Sequence, residues 1–110
     1  MINLNFEEKK IAAENWFKNL RNSICAEFEK IEYLKSKKKK IFKKNNWKAG
    51  GNSKGGGTFA LIENGSVFEK VGVNISTISG KFHKQFRRKI PGALNNPNFW
   101  ASGISVVAHM

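Results

Sequence analysis

VFEKVGVNISTISG, residues Val67–Gly80, alternates in the manner of an extended strand. Val71, Val73, Ile75 and Thr77 fall on one side, and Gly72, Asn74, Ser76 and Ile78 on the other. The first side can pack on a core. The second carries small and polar groups with room beside them, so it can be solvated or can line a pocket. Just before this stretch stands Asn64-Gly65, a type I′ hairpin signal, and before that TFALIE, Thr58–Glu63, a second strand. The pair predicts a β-hairpin, with Gly80 ending its second strand.

Beyond Gly80, KFHKQFRR (Lys81–Arg88) sets Phe82 and Phe86 four apart and predicts a short basic helix, with His83 exposed on it. Pro91-Gly92 and Asn96-Pro97 mark turns. FWASGISVVAHM, Phe99–Met110, reads as another strand. Ala101, Gly103, Ser105, Val107 and His109 share one face; Ser102, Ile104, Val106 and Ala108 share the other. Ser105 and His109 are separated by roughly 13 Å of strand, too far for a Ser–His catalytic pair but within reach of one large ligand. The strand runs to the last residue, which predicts that residues 1–110 are a single incomplete domain, the front portion of a longer fold.

Toward the N-terminus, GGNSKGGG (Gly50–Gly57) lacks the order of a phosphate-binding P-loop. It reads either as a flexible turn or strand edge, or as backbone passing close to a ligand. Lys35–Lys54 holds nine lysines and no acid, a composition that predicts a solvated, mobile segment anchored by Ile41, Phe42 and Trp47. Before it, Phe17, Leu20, Ile24, Phe28 and Ile31 recur at spacings of three and four. They predict an amphipathic helix from about Phe6 to Leu34, with Asn5 as N-cap, Glu8 completing a capping box, and Glu14 and Lys18 paired at i,i+4. The chain is therefore α+β: an N-terminal helix followed by antiparallel strands.

The formal charge of +12 suits an anionic partner. Seventeen of the 20 basic residues are Lys, whereas base reading leans on Arg, and no helix-turn-helix, zinc-finger or RNP pattern is present. Nucleic acid is thus a second reading, through Lys35–Lys54 and Lys81–Lys89, with less in its favour. No apolar run is long enough to span a membrane and Met1–Lys10 has no signal-peptide character, so the expectation is a cytoplasmic protein with no membrane partner. The single cysteine, Cys25, fits a reducing compartment and a buried apolar role. There is no Asp, so Glu supplies every carboxylate side chain.

Several of these motifs together resemble the oxygen-dependent (aerobic) coproporphyrinogen III oxidases. Trp16-Phe17, Leu20-Arg21, Ile24-Cys25 and Phe28-Glu29 look like that family's first helix. Trp47 with the following glycines is similar to its Trp-to-glycine motif, and Val67–Ser76 with Gly80 to its longest signature. Phe99, Ala101, Gly103–Val107 and His109 are similar to its next strand. Asn52-Ser53-Lys54 interrupts the glycine run, Met110 stands where many members have Pro, and the lysine block has no counterpart. Family chains are much longer, and their later His, Asn-x-Arg and Asp elements do not occur here.

The resemblance implies oxidative decarboxylation of two propionates of coproporphyrinogen III to vinyl groups, giving protoporphyrinogen IX in haem biosynthesis. It implies O2 as oxidant, no organic cofactor, and in some bacterial members a divalent metal. It further implies a helix-covered antiparallel sheet working as a homodimer, with Ser105 matching a substrate-contacting serine and His109 a metal-site histidine. His83 matches nothing, and no catalytic residue is assigned. The truncated chain is expected to be inactive alone. A third reading is a non-functional remnant that folds poorly.

Overall fold

The computed structural model describes residues 5–110; the reading of Met1–Leu4 lies outside them. One helix, α1 (Phe6–Ser36), precedes four strands: β1 (Lys43–Lys48), β2 (Lys54–Glu63), β3 (Lys70–Lys81) and β4 (Asn98–His109). The strands form one antiparallel meander in the order β1-β2-β3-β4.

Helix α1 begins where the capping signal places it. Asn5 is extended, and its side-chain oxygen accepts from the Glu8 amide at 2.8 Å, satisfying one of the free N–H groups of the first turn. The helix ends at Lys37, which takes a left-handed conformation and donates its N–H to the Tyr33 carbonyl. The expected Glu14–Lys18 ion pair does not form; among the described residues Lys10 pairs with Glu7 instead, at 3.2 Å.

The core lies between α1 and one face of the sheet. Ala60 and Ile62 of β2 and Val71 and Val73 of β3 are fully buried there with Cys25 and Phe42, and Ile24, Phe28, Phe68 and Ile104 pack around them. Phe28 meets Phe42 and Phe68 edge-on, with ring centroids 6.4 and 5.0 Å apart. The pairings Ala60–Val73–Val106 and Thr58–Ile75–Ile104 follow from the strands' period of two: every core residue of β3 is an odd position, as the alternation requires.

Three expectations change. The lysine-rich segment is not wholly loop, because residues 43–48 form the edge strand β1 against β2. Its KKNNWK sequence has no apolar alternation, so its strand state comes from ladder hydrogen bonds; charged lysines on an exposed edge also discourage pairing with other chains. Phe42 and Trp47 anchor this segment, but Ile41 is exposed. The β2–β3 connection is six residues, 64–69, and not a two-residue turn: Asn64 has φ 56°, but Gly65 does not follow it to positive φ. Residues 82–95 are consecutive turns without a helix, held by bonds such as Phe86 N–H to His83 O at 2.9 Å. Phe86 is exposed, while Phe82 stacks on Phe99 of β4 at 4.9 Å, so the two aromatics share no helical stripe.

Candidate functional site

The face of the sheet opposite α1 carries no helix of the described chain. Period two places the even residues of β3 and the odd residues of β4 on it. The cross-strand rows read Asn45–Phe59–Asn74–Ser105, then Trp47–Gly57–Ser76–Gly103, with Lys43–Leu61–Gly72–Val107 on the other side of Ser105. Around Ser105 the floor is therefore built of Gly103, Ala101, Ser76 and Gly72. Ser105 is exposed and lies directly opposite Asn74.

Two aromatic side chains roof part of this face, and each needs a glycine beneath it. The indole of Trp47 crosses Gly57, where an added Cβ would come within 2.8 Å of Cζ2. The Phe59 ring reaches over Gly72, where a Cβ would come within 2.9 Å of Cζ. The second half of the glycine-rich stretch is thus strand: residues 54–57 open β2. The close approach at Gly57 is to a neighbouring backbone and to Trp47.

Trp47 also orients the site. Its Nε1–H donates to Asn74 Oδ1 at 3.0 Å, spanning from β1 to β3 across β2. With Oδ1 accepting from Trp47, the Asn74 amide keeps two N–H donors on its other arm, and its backbone lies opposite Ser105. Ser76 keeps its backbone carbonyl for a bond from Ser102 Oγ on the helix side, at 3.1 Å, and Ser102 shares a second with Thr77 Oγ1 at 3.0 Å.

His109 lies on the same open face, at the end of β4, opposite Lys70, which in turn faces Glu63. It is exposed, and roughly 13 Å of strand separates it from Ser105. No group of three His, Cys, Asp or Glu that could hold a metal occurs among the described residues. One imidazole is not a metal site, so this chain alone does not fit a divalent ion. His83 is exposed on the turn segment. It lines a cleft of about 900 Å³ with Lys54, Lys81, Lys84, Arg87 and Phe99, at the far end of the sheet from His109.

Sequence reasoning missed Glu32. It is buried, and its carboxylate accepts three backbone N–H bonds from the β2–β3 connection: Ser66 at 2.6 Å to Oε2, and Val67 at 2.9 Å and Phe68 at 2.8 Å to Oε1. Burial alone would raise this carboxyl's pKa, but the three donors and the charge of Lys40 outweigh it and leave it below the ordinary glutamate value. Three amides converging on one carboxylate explain why the connection is longer than its Asn-Gly pair suggests. A signal existed: Glu32 sits seven residues after Cys25 and four after Phe28, a charge in the buried stripe. Cys25 itself is buried, and burial, then Glu29, pushes its thiol pKa up, with Lys44 and Arg21 opposing.

Comparison with known proteins shows the family of the chain. The family model described as coproporphyrinogen III oxidase matches residues 12–110. The chain is 49% identical over 111 residues to the oxygen-dependent coproporphyrinogen-III oxidase of Rickettsia africae (strain ESF-5), covering 97% of this chain and 38% of that one. It is 50% identical over 107 residues to the same-named protein of Rickettsia felis, covering 94% and 37% of the two chains. For that of Rickettsia bellii (strain OSU 85-389) the identity is 48% over 108 residues, with coverage of 94% and 38%. The chain thus spans less than two-fifths of the length of these curated relatives. No solved structure matches it. The family model takes in all but the first eleven residues, and the relatives are matched over nearly the whole of this chain: the chain belongs to the coproporphyrinogen III oxidase family.

Proposed function

We propose that this chain is the N-terminal portion of an oxygen-dependent coproporphyrinogen III oxidase, and that the open sheet face is the floor of its tetrapyrrole site. The reaction would convert two propionates of coproporphyrinogen III to vinyl groups with O2 as oxidant, yielding protoporphyrinogen IX. The observation that carries this reading is the pairing of Ser105 with Asn74 on a face floored by Gly72, Ser76, Ala101 and Gly103. A broad flat ring needs such a floor. A propionate carboxylate lying above the pair would accept one bond from the Ser105 hydroxyl and one from the Asn74 amide, whose orientation Trp47 holds. In this proposal the chain's own contribution is binding and positioning, and no catalytic residue is assigned on it.

His109 is the further candidate, as one ligand of a divalent metal whose other ligands would come from residues outside this chain. The chain's shape supports a single incomplete domain whose sheet is covered by later segments. Its radius of gyration is 17.7 Å, against roughly 13 Å for a compact domain of this length. A homodimer and a cytoplasmic location are part of the same proposal. The buried lone thiol supports a reducing compartment, and no helix among the described residues is long and apolar enough to cross a membrane.

The test is turnover of coproporphyrinogen III under O2, read as porphyrin fluorescence after oxidation of the product. The chain alone is expected to leave the substrate unchanged. A protein continuing it through the relatives' full length is expected to be active, and Ser105→Ala to lower kcat/KM by about tenfold through loss of one charge-assisted bond. Wild-type kcat/KM in both Ser105→Ala and Asn74→Ala would remove this face from the substrate site.

A further inference from the structure

The apolar stripe of α1 outruns the sheet. Ile24 and Phe28 pack on the core; Ile31, the next member of that stripe, is 40% exposed, and Leu34, which the helical turn sets opposite the buried Cys25, is 59% exposed. The chain then turns at Lys37 and comes back. The Phe42 amide donates to Glu29 Oε2 at 2.9 Å, and the Phe42 ring rests on Phe28. Glu29 lies seven residues before the helix end, so residues 37–41 run beside the last two turns, roughly 10 Å of helix.

This return builds a compact tip. Lys35, Lys37, Lys38 and Lys39 are exposed, Lys40 is half-buried, and Lys43 and Lys44 follow on β1. Among the described residues none of these seven lysines forms an ion pair. Beside them Tyr33 is 52% and Ile41 57% exposed, adding to Ile31 and Leu34. A solvated charge run has no reason to hold four large apolar side chains in water beside it.

We propose that this tip, Ile31–Lys44, docks on an anionic lipid surface. The lysines would meet acidic headgroups while Leu34, Ile31 and Ile41 enter the boundary between headgroups and acyl chains, the arrangement of interfacial amphipathic elements. Such docking needs no spanning segment, which is why a search for spans expects no membrane partner. Nucleic acid fits less well. Residues 31–44 contain no Arg, and exposed aliphatic side chains gain nothing from a phosphodiester backbone. The site on the open sheet face plays no part in this inference.

The experiment is vesicle co-sedimentation at about 0.1 M salt, an ionic strength at which the Debye length is still ~10 Å. Phosphatidylcholine vesicles with and without phosphatidylglycerol are compared, using the 110-residue chain and the longer protein that contains it. Binding is expected only with phosphatidylglycerol, in both proteins. Each lysine changed to Gln among Lys37–Lys40 is expected to weaken partitioning about fivefold. Leu34→Asn with Ile41→Asn is expected to weaken it on the order of tenfold while leaving its salt dependence unchanged. All these positions except the half-buried Lys40 are exposed, and circular dichroism checks that the fold is kept. Equal binding to neutral vesicles, indifference to the Lys→Gln changes, or full binding by the Asn variant would each overturn the proposal. So would a longer protein that does not bind, since its later segments would then cover Ile31 and Leu34. Duplex DNA or RNA that binds more tightly than the vesicles and displaces them would assign the tip to nucleic acid.

Discussion

Replacing Glu32 with Gln tests whether one buried carboxylate organises the β2–β3 connection. The carboxylate accepts from the Ser66, Val67 and Phe68 amides. A glutamine oxygen in the place of Oε1 keeps the Val67 and Phe68 bonds but makes them neutral, which weakens each by roughly 1 kcal/mol. The glutamine NH2 would face the Ser66 N–H, donor against donor, so that bond is lost at a further cost of about 1 kcal/mol. The sum is about 3 kcal/mol, a large part of the stability of a small domain. At an m-value of roughly 1.5 kcal/mol per molar urea, the unfolding midpoint should fall by about 2 M. Tryptophan fluorescence reads it. A midpoint shift below about 0.3 M at pH 7 would refute the reasoning, because it would mean that water satisfies these amides as well as the carboxylate does.

The same carboxylate gives a pH signature with a definite sign. Its pKa is lowered in the fold from the ordinary 4.5. Its contribution is therefore complete above 4.5 and is lost as pH falls through the lower folded-state value. Glu32→Gln has no such group to protonate. The stability gap between parent and variant should accordingly narrow on acidification below 4.5. A gap that stays constant to about pH 3 would show that the carboxylate's charge is not what the loop recognises.

Gly57→Ala places a methyl between the Ile75 carbonyl and the Trp47 ring, and should cost roughly 2–3 kcal/mol in urea unfolding with a shifted tryptophan emission. Trp47→Phe keeps most of the ring but loses the bond to Asn74, and should cost about 1 kcal/mol at pH 7; a loss below 0.3 kcal/mol, roughly the error of the method, would mean that the bond is replaced by water. Burial that raises the Cys25 pKa should make alkylation by iodoacetamide at pH 8 at least about tenfold slower than for a free thiol, with urea removing the protection. Rapid labelling in the folded state would show that α1 lifts readily from the sheet.

Period two, read along Val67–Gly80, set Asn74 on the small, polar side of its strand, and along Phe99–Met110 it set Ser105 and His109 together; that these sides form one face is given by the β3–β4 register, which pairs Asn74 with Ser105. The helix was legible for similar reasons, down to its Asn5 cap. What escaped were elements whose stability lies outside their own residues. β1 has no apolar pattern and exists through its ladder with β2. The β2–β3 connection takes its course from Glu32, which is 34 residues before Ser66. Lys81–Arg88 shows the converse error: a local spacing of two phenylalanines invites a helix, but Phe82 finds its partner in Phe99 across the sheet end.

The glycines carry the most instructive difference. From sequence, Gly55–Gly57 could be read as backbone approaching a ligand, and small size at those positions is indeed required. The groups that require it at Gly57 are the Ile75 carbonyl of β3 and the indole of Trp47, neither of which a local rule connects to that glycine. Yet the two readings meet at one atom. By crossing Gly57, the indole reaches Asn74 and occupies its oxygen, which leaves the amide's two donors as the free arm of a side chain opposite Ser105. Under the proposed function, and in the longer protein, a larger residue at position 57 would weaken substrate binding without touching substrate, by moving Trp47 and releasing Asn74 to turn its oxygen toward a carboxylate that it would repel. A conservative probe follows from this: Trp47→Phe, which leaves Gly57 and Ser105 in place, should raise KM for a polycarboxylate substrate while changing kcat little. An unchanged KM would mean that Asn74 holds its orientation without the indole.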